Sequence, residues 1–357
     1  MPASASSTAS ANARAAIVGV SGYTGAELAR LLAVHPHVRL THVAGASSAG
    51  KRLADVLPSL EGIVDLVVQP FDAERIAKDA DFALLGLPHG EAAAKATALR
   101  AAGVRVLDLS ADLRLTDAAV HVVWYGEDHA GALRSEAVYG LPELFRDRIR
   151  SANVVAVPGC YPTGAILALA PLVREGLVSL DGIVVDAKSG VSGAGRSPSA
   201  AAHFPETSEG IRPYKIAGEH RHTPEIEQAL SQVAGRSITL TFTPHLVPMS
   251  RGILTTAYAF SKEGALADRL REAARSFYAD SPSVAILPPG RLPDTLWVRG
   301  SNRAHLQYAV DTRTGRAIAL SAIDNLGKGA AGQAIQCLNL MAGLPEGDGL
   351  GAPAVFP

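Results

Sequence analysis

Residues 15–20 (Ala-Ala-Ile-Val-Gly-Val) form a short apolar run, glycines stand at 19, 22 and 25, and a helical pattern begins at Ala26. This junction narrows the possible folds more than anything else in the chain. A buried strand, a glycine turn and a helix in that order let backbone N–H groups approach a pyrophosphate at a helix N-terminus. The G-x-x-G-x-x-G spacing departs from the commoner G-x-G-x-x-G, so a plain strand–helix turn is the competing reading and context has to decide. Strand-like runs follow at 39–44, 64–68, 82–87 and 104–109, alternating with helical patterns at 73–80 and 91–101. Such alternation builds an α/β fold, a Rossmann-type doubly wound parallel sheet. Gly19, Ser21, Gly22, Tyr23, Thr24 and Gly25 are then the expected phosphate cradle.

The second strand-like run leads into Ser47, Ser48, Lys51 and Arg52, with no Asp or Glu where an NAD enzyme holds the ribose 2′-hydroxyl. Hydroxyls and cations suit a 2′-phosphate instead, which predicts NADPH/NADP+ as cofactor. The 82–87 run ends in Pro88-His89 at the carboxyl edge, where ligands sit in such sheets, so both are candidate cofactor contacts.

At 357 residues the chain has room for two domains with sizeable cores. A net charge of −1 gives no footprint for nucleic acid or an anionic membrane, and no apolar run is long enough to span a bilayer. Two cysteines far apart argue against a disulfide scaffold and for a reducing cytoplasm. The Ala/Ser stretch 1–14 lacks an apolar core and reads as a disordered tail, and the Gly/Pro-rich stretch 344–357 as a flexible one.

A buried-strand pattern at 154–157 ends in Pro158-Gly159, and a helix is expected to begin just after Cys160. A thiol at a helix N-terminus feels the positive end of the dipole, which favours the nucleophilic thiolate. Cys337, between Gln336 and Leu338 in a helical run, reads as a small buried hydrophobe. A thiolate nucleophile works with a nearby acid or base, most often histidine. His220 and His222 lie in Gly218-Glu-His-Arg-His-Thr-Pro-Glu225, where Thr223-Pro224 signals a helix start. Spacing alone does not choose between them; His220 is preferred as the acid/base and His222 comes second. No His-x₃-His or Cys-x₂-Cys spacing suggests a metal.

Taken together, Gly19-Val-Ser-Gly-Tyr-Thr-Gly25, Asp108-Leu-Ser-Ala-Asp-Leu-Arg114, Val138-Tyr-Gly-Leu-Pro-Glu143, Val157-Pro-Gly-Cys-Tyr-Pro-Thr-Gly164, the His220/His222 segment and Asp324-Asn-Leu-Gly-Lys-Gly-Ala-Ala-Gly-Gln333 resemble the N-acetyl-γ-glutamyl-phosphate reductases of arginine biosynthesis. The resemblance runs from about residue 15 to 342. It implies a Rossmann domain at 15–159, an α+β catalytic and oligomerisation domain at 160–326 with a mainly antiparallel sheet, and a helix at 327–343 returning to the first domain. Strand-like runs at 237–242, 253–260, 296–299, 306–312 and 317–322 agree with such a sheet, and 329–341 with the returning helix.

By the same resemblance Cys160 is the nucleophile, the histidine pair contains the acid/base, and Arg114 binds the acyl phosphate. Lys188 is expected to face substrate, Ser189, Gly190 and Asn325 the cofactor. The implied reaction is NADPH-dependent reduction of N-acetyl-L-glutamyl 5-phosphate through a cysteine thioester. A homodimer or homotetramer is implied as well. Two departures, Leu113 and the Leu-Gly-Lys of 326–328, touch none of the chemical groups. The rival substrate is a carrier-protein-linked aminoadipyl phosphate of lysine biosynthesis. The rival class is a Cys/His hydrolase, which the nucleotide-binding start opposes.

Overall fold

A computed structural model describes residues 13–198, 200 and 203–356. The expected N-terminal tail lies almost wholly outside the described residues, and the first strand already takes in Ala13 and Arg14.

The first half is a six-stranded parallel sheet in the order β2-β1-β3-β4-β6-β5. Its strands are β1 (Ala13–Val18), β2 (Val38–Ala44), β3 (Phe82–Leu85), β4 (Arg105–Asp108), β5 (Val138–Tyr139) and β6 (Val154–Ala156). Alternation along β1 explains the two layers packed on it. Ala15 and Ile17 belong to one apolar cluster, Ala16 and Val18 to the cluster on the opposite face. Helices α1 (Tyr23–Leu32), α2 (Ala73–Asp79), α3 (Ala92–Ala101), α4 (Ala118–Tyr125) and α5 (Pro142–Ser151) connect the strands. The 64–68 run is not a strand. Within it only Val67 makes a bridge, to Arg52, and the next one, Gln69 with Ala44, meets just the last residue of β2.

The second half is a seven-stranded mixed sheet, β11-β12-β13-β10-β7-β9-β8. It comprises β7 (Ile183–Gly190), β8 (Arg212–Pro213), β9 (Leu240–Val247), β10 (Ile253–Phe260), β11 (Val284–Ile286), β12 (Ala304–Asp311) and β13 (Arg316–Ile323). The β7–β9 and β11–β12 pairs are parallel and the remaining pairs antiparallel. Helices α6 (Cys160–Arg174), α7 (Thr223–Ala234) and α8 (Ala267–Phe277) cover one face and share its core with Ile183, Val185, Ile253 and Ala257. The 296–299 run forms a 3₁₀ turn at Thr295–Trp297, started by the Asp294 carboxylate accepting from Leu296 N–H.

The chain then turns back. A π turn at Gly327–Ala331 leads into α9 (Gly332–Met341), whose Ile335, Cys337 and Leu338 are buried in the same cluster as Ile17 and Leu28. Residues beyond α9 do not hang free as expected. Asn339 Nδ2 donates to the carbonyls of Glu346 and Asp348, Arg146 pairs with Glu346 at 2.6 Å, and Val355 N–H donates to the Arg299 carbonyl. Polar side chains on α5 and α9 supply these partners, which composition alone does not reveal.

Candidate active site

The strand order reverses between β1 and β3, and a groove of about 970 Å³ opens at their carboxyl ends. Val18, Gly19, Ser21, Gly22, Tyr23 and Thr24 line one wall. Gly19 adopts φ +92°, and a Cβ there would lie 2.4 Å from the Gly86 carbonyl oxygen. Gly25 lies just off the groove, where a Cβ would come within 2.3 Å of Gly19 O, so helix and turn pack without a side chain between them. Gly22 caps α1 with no side-chain hydrogen bond, leaving the helix N-terminus to face the groove. Such a cradle fits a dinucleotide pyrophosphate.

The adenosine end of the groove differs from expectation. Ser47 lines it together with Gly45, Ala46, Pro70, Phe71 and Lys95. Ser48, Lys51 and Arg52 do not. Ser48 Oγ is buried under Gly45, Lys51 is exposed away from the groove, and Arg52 turns outward to pair with Glu61 at 2.7 Å. Besides Arg114 near Cys160, the cations that reach the groove are Lys95 and Arg196, the latter donating to Ser21 O at 2.9 Å. Neither is adjacent in sequence to the glycine loop, so local pattern gave no signal for them.

Pro88 lines the groove, whereas His89 is drawn aside. Its Nδ1 meets Asp112 at 2.9 Å and its ring packs on Tyr125. Asp112 also accepts from the N–H groups of Gly90, Ala92 and Ala93, so it fixes the turn after β3. In the next glycine-rich segment Ser192 and Gly193 face the groove, while Ser189 and Gly190 sit behind it. Ser189 Oγ is turned back onto the Gly190 carbonyl, and a Cβ at Gly190 would strike the Met249 and Ser250 carbonyls. Lys188 points to the other face of β7, where it pairs with Asp186. Strand alternation sends 186 and 188 away from the buried face of Ala187 and Ser189. Asn325 lies at the groove, accepting from Gly252 N–H at 2.8 Å and donating to Ser192 Oγ at 2.9 Å.

Cys160 is the first residue of α6 and half-buried at the groove floor, between Gly159 and the π-turn Gly329. A Cβ at Gly329 would come within 2.8 Å of the Cys160 Cβ, so a bare backbone is needed there. Burial pushes the Cys160 thiol up to about 11, against the pull of Arg114 and of backbone N–H groups. The thiol is therefore protonated at neutral pH, and its attack requires a proton acceptor.

The two histidines separate. His222 lines the groove with Cys160 and Arg114, its Nε2 lying 3.5 Å from Arg114 NH1. His220 stands behind it, boxed edge-on by Tyr161, Tyr214 and Phe242, with Nδ1 accepting from His222 N–H at 3.1 Å. Burial holds the His222 imidazole well below its ordinary range and the neighbouring His220 and Arg114 add to the effect, so the ring is neutral in the resting site. The α7 helix begins at Thr223 with His222 as its N-cap, one residue earlier than the Thr-Pro signal suggested.

Arg114 is buried, held by Nε to Val157 O at 2.9 Å and by NH2 to Leu109 O at 2.8 Å, which leaves NH1 toward the groove. Glu225 was not expected. It is fully buried, accepts from Tyr139 OH at 2.7 Å and Gly159 N–H at 2.8 Å, and lies 3.5 Å from Arg114 NH1. It stands in the first turn of α7, where acidic residues are common, so nothing local marks it. Among the described residues no cluster suited to a metal ion occurs.

Two domain families cover this chain: the semialdehyde dehydrogenase NAD binding domain at residues 14–152 and the semialdehyde dehydrogenase dimerisation domain at 160–325. The N-acetyl-gamma-glutamyl-phosphate reductase of Moorella thermoacetica is 50% identical over 96% of this chain and 99% of its own length. The reductase of that name from Symbiobacterium thermophilum is 51% identical over the same shares. Among solved structures, aspartate semialdehyde dehydrogenase II of Vibrio cholerae superposes with a TM-score of 0.71 at 18% identity, covering 93% of this chain and 98% of that one. The Candida albicans aspartate semialdehyde dehydrogenase with NADP gives 0.68 at 17% identity, covering 92% and 98%. The glycine cradle, the cysteine at a helix start and half of all residues held in common over nearly the full length lead to one conclusion: the chain belongs to the N-acetyl-gamma-glutamyl-phosphate reductase family.

Proposed function

We propose that this protein reduces N-acetyl-L-glutamyl 5-phosphate to N-acetyl-L-glutamate 5-semialdehyde and phosphate in arginine biosynthesis, using NADPH. The observation that carries the reading is the placement of Cys160, His222 and Arg114 on one groove that also contains the glycine cradle. Gly19, Ser21, Gly22, Tyr23 and Thr24 would hold the cofactor phosphates, Ser47 and Lys95 the adenosine end, and Asn325 the reacting end. When bound, NADPH supplies a hydride.

The Cys160 sulfur attacks the acyl-phosphate carbonyl while its proton passes to His222. The carbon–oxygen bond to phosphate breaks, phosphate leaves with the electron pair, and a thioester remains on Cys160. Arg114 NH1 holds the phosphate before departure and offsets its charge as it leaves. A thioester is a far better hydride acceptor than a carboxylate, which is the reason for the covalent step. After reduction the oxyanion re-forms a carbonyl and the carbon–sulfur bond breaks. His222 returns its proton to the departing sulfur. His220 holds the His222 backbone and does not meet substrate. Glu225 ties Gly159, Tyr139 and Arg114 together.

The mixed sheet leaves one face without helices, where Val184, Leu254, Tyr258, Ile318 and Leu320 are half-buried. A second copy covers it in a homodimer, the assembly that a dimerisation domain implies. No helix among the described residues is long and apolar enough to cross a membrane, and we place the enzyme in the cytoplasm.

The reaction run backwards tests the reading. With N-acetylglutamate 5-semialdehyde, phosphate and NADP+, phosphate-dependent NADPH formation is expected and Cys160→Ser abolishes it. No signal from protein that still binds NADPH overturns the substrate and favours the carrier-linked aminoadipyl phosphate. Full activity in the variant overturns the Cys160 assignment.

A further inference from the structure

Arg251 lies off the groove and takes no part in the steps above, yet its guanidinium joins the two halves of the molecule. On one side NH1 and NH2 donate to the two Glu27 carboxylate oxygens at 3.1 and 2.8 Å. On the other, Nε and NH2 each donate to Asp324 at 2.9 Å. Glu27 belongs to α1, the helix whose N-terminus closes the glycine cradle. Asp324 follows β13 and directly precedes Asn325.

Both carboxylates are almost wholly buried, Glu27 at 5% exposure and Asp324 at 0%. Each has further partners that fix its position. Arg30 donates to Glu27 at 2.7 Å and also reaches the Gly300 carbonyl. Asp324 accepts from the N–H groups of Gly300, Leu326 and Gly327, which sets the start of the π turn beside Cys160. The residue after Arg251 acts on the same wall, since Gly252 N–H holds the Asn325 amide. One arginine thus ties α1 to the Asn325 turn. A buried, fully hydrogen-bonded set of this kind has one low-energy geometry, so it fixes position more than it adds stability.

We propose that Arg251 is a positioning residue for the dinucleotide. By clamping Glu27 to Asp324 it holds the phosphate cradle and the Asn325 turn at the spacing that one NADPH molecule spans, before the cofactor arrives. The proposal rests on the NADPH reading given above. Lysine does not reproduce this clamp, because an ammonium lacks the planar array of guanidinium N–H groups that meets each carboxylate at two points.

NADPH binding to the free protein, followed by the cofactor's fluorescence without substrate, is the direct test. Arg251→Met, Arg251→Lys and Glu27→Gln are each expected to raise the NADPH dissociation constant about tenfold, equivalent to about 1.4 kcal/mol. The Arg251→Met/Glu27→Gln double variant should bind no worse than the weaker single variant, because both break one clamp. Iodoacetamide alkylation of Cys160 should keep its wild-type rate in all of them. Folded variants that bind NADPH within twofold of wild type overturn the proposal and leave Arg251 a fold staple, as do effects that multiply in the double variant. If Arg251→Met does not fold, Glu27→Gln and Arg251→Lys decide the matter alone. Wild-type protein that fails to bind NADPH overturns the cofactor reading and this proposal with it, whereas wild-type binding with unaffected variants overturns this proposal only.

Discussion

Replacing Gly159 by alanine would displace the proposed acid/base while sparing the backbone. Gly159 has φ −67° and ψ 155°, a conformation alanine adopts freely, so no strain arises in the chain. The added Cβ, however, would lie 2.5 Å from His222 Nε2 and 2.9 Å from Arg114 NH1. Both groups have to retreat by about 1 Å to reach ordinary contact. The imidazole has little room, since the rings of Tyr161 and His220 pack edge-on against it with centroids 5.9 and 4.9 Å away. A misplacement of about 1 Å at a reacting centre costs on the order of 10²-fold, or about 2.7 kcal/mol of barrier. The reverse reaction of Gly159→Ala is therefore expected to lose about 10²-fold in kcat. NADPH affinity should not change, because the cradle is untouched. Thermal stability should fall modestly, because pushing buried groups apart costs about 1–3 kcal/mol, more than the about 0.4–1 kcal/mol that Gly→Ala gains at a compatible conformation. Activity within threefold of wild type would refute the placement of His222 and Arg114 against the Cys160 turn. Equal losses in kcat and NADPH affinity would show that the groove as a whole had collapsed.

The raised thiol predicts that iodoacetamide inactivation of the free enzyme accelerates about tenfold per pH unit between pH 7 and 9, because the thiolate fraction grows in that proportion below the thiol pKa. A plateau below pH 7 would mean a preformed thiolate and no need for a base. His222→Ala should lose about 10²–10⁴-fold in kcat, the usual worth of a general acid/base, and His220→Ala clearly less; the reverse order in steady-state kinetics would return the proton to His220. Lys328 is fully buried against Glu143 at 2.7 Å and Gln336 at 2.7 Å. Lys328→Met leaves that carboxylate uncompensated and should cost about 3–5 kcal/mol in urea unfolding, with Lys328→Met/Glu143→Leu recovering part of the loss. A single variant as stable as wild type would contradict the buried pair.

What could be read from the sequence follows how local each signal is. The glycine cradle, the strand–helix alternation and the Pro-Gly-Cys turn depend on neighbours within a few residues, and the cradle and Cys160 appear on the groove. The Ser48, Lys51 and Arg52 expectation failed because composition says which charges are available but not which way a loop turns; Arg52 had Glu61 within reach. Lys95 and Arg196 come to the adenosine end and the cradle from distant segments, which no short pattern encodes. His220 and His222 share a loop, and only the aromatic box of Tyr161, Tyr214 and Phe242, drawn from three separate elements, tells them apart. Lys188 and Ser189 show the other limit. Adjacent strand residues face opposite ways, and which face is buried depends on the helices laid over the sheet.

Helix α9 completes the apolar cluster of the first sheet although the whole second half separates it from that sheet in the chain. On the ribosome, Ile17 and Leu28 wait for Ile335 and Leu338 while the whole second half is synthesised and folded. The cofactor half therefore reaches its final packing only after α9 has emerged, and until then one flank of the parallel sheet stays bare to chaperones or to neighbouring chains. A nonsense change before Met341 would strike the nucleotide-binding half, which lies far upstream of it.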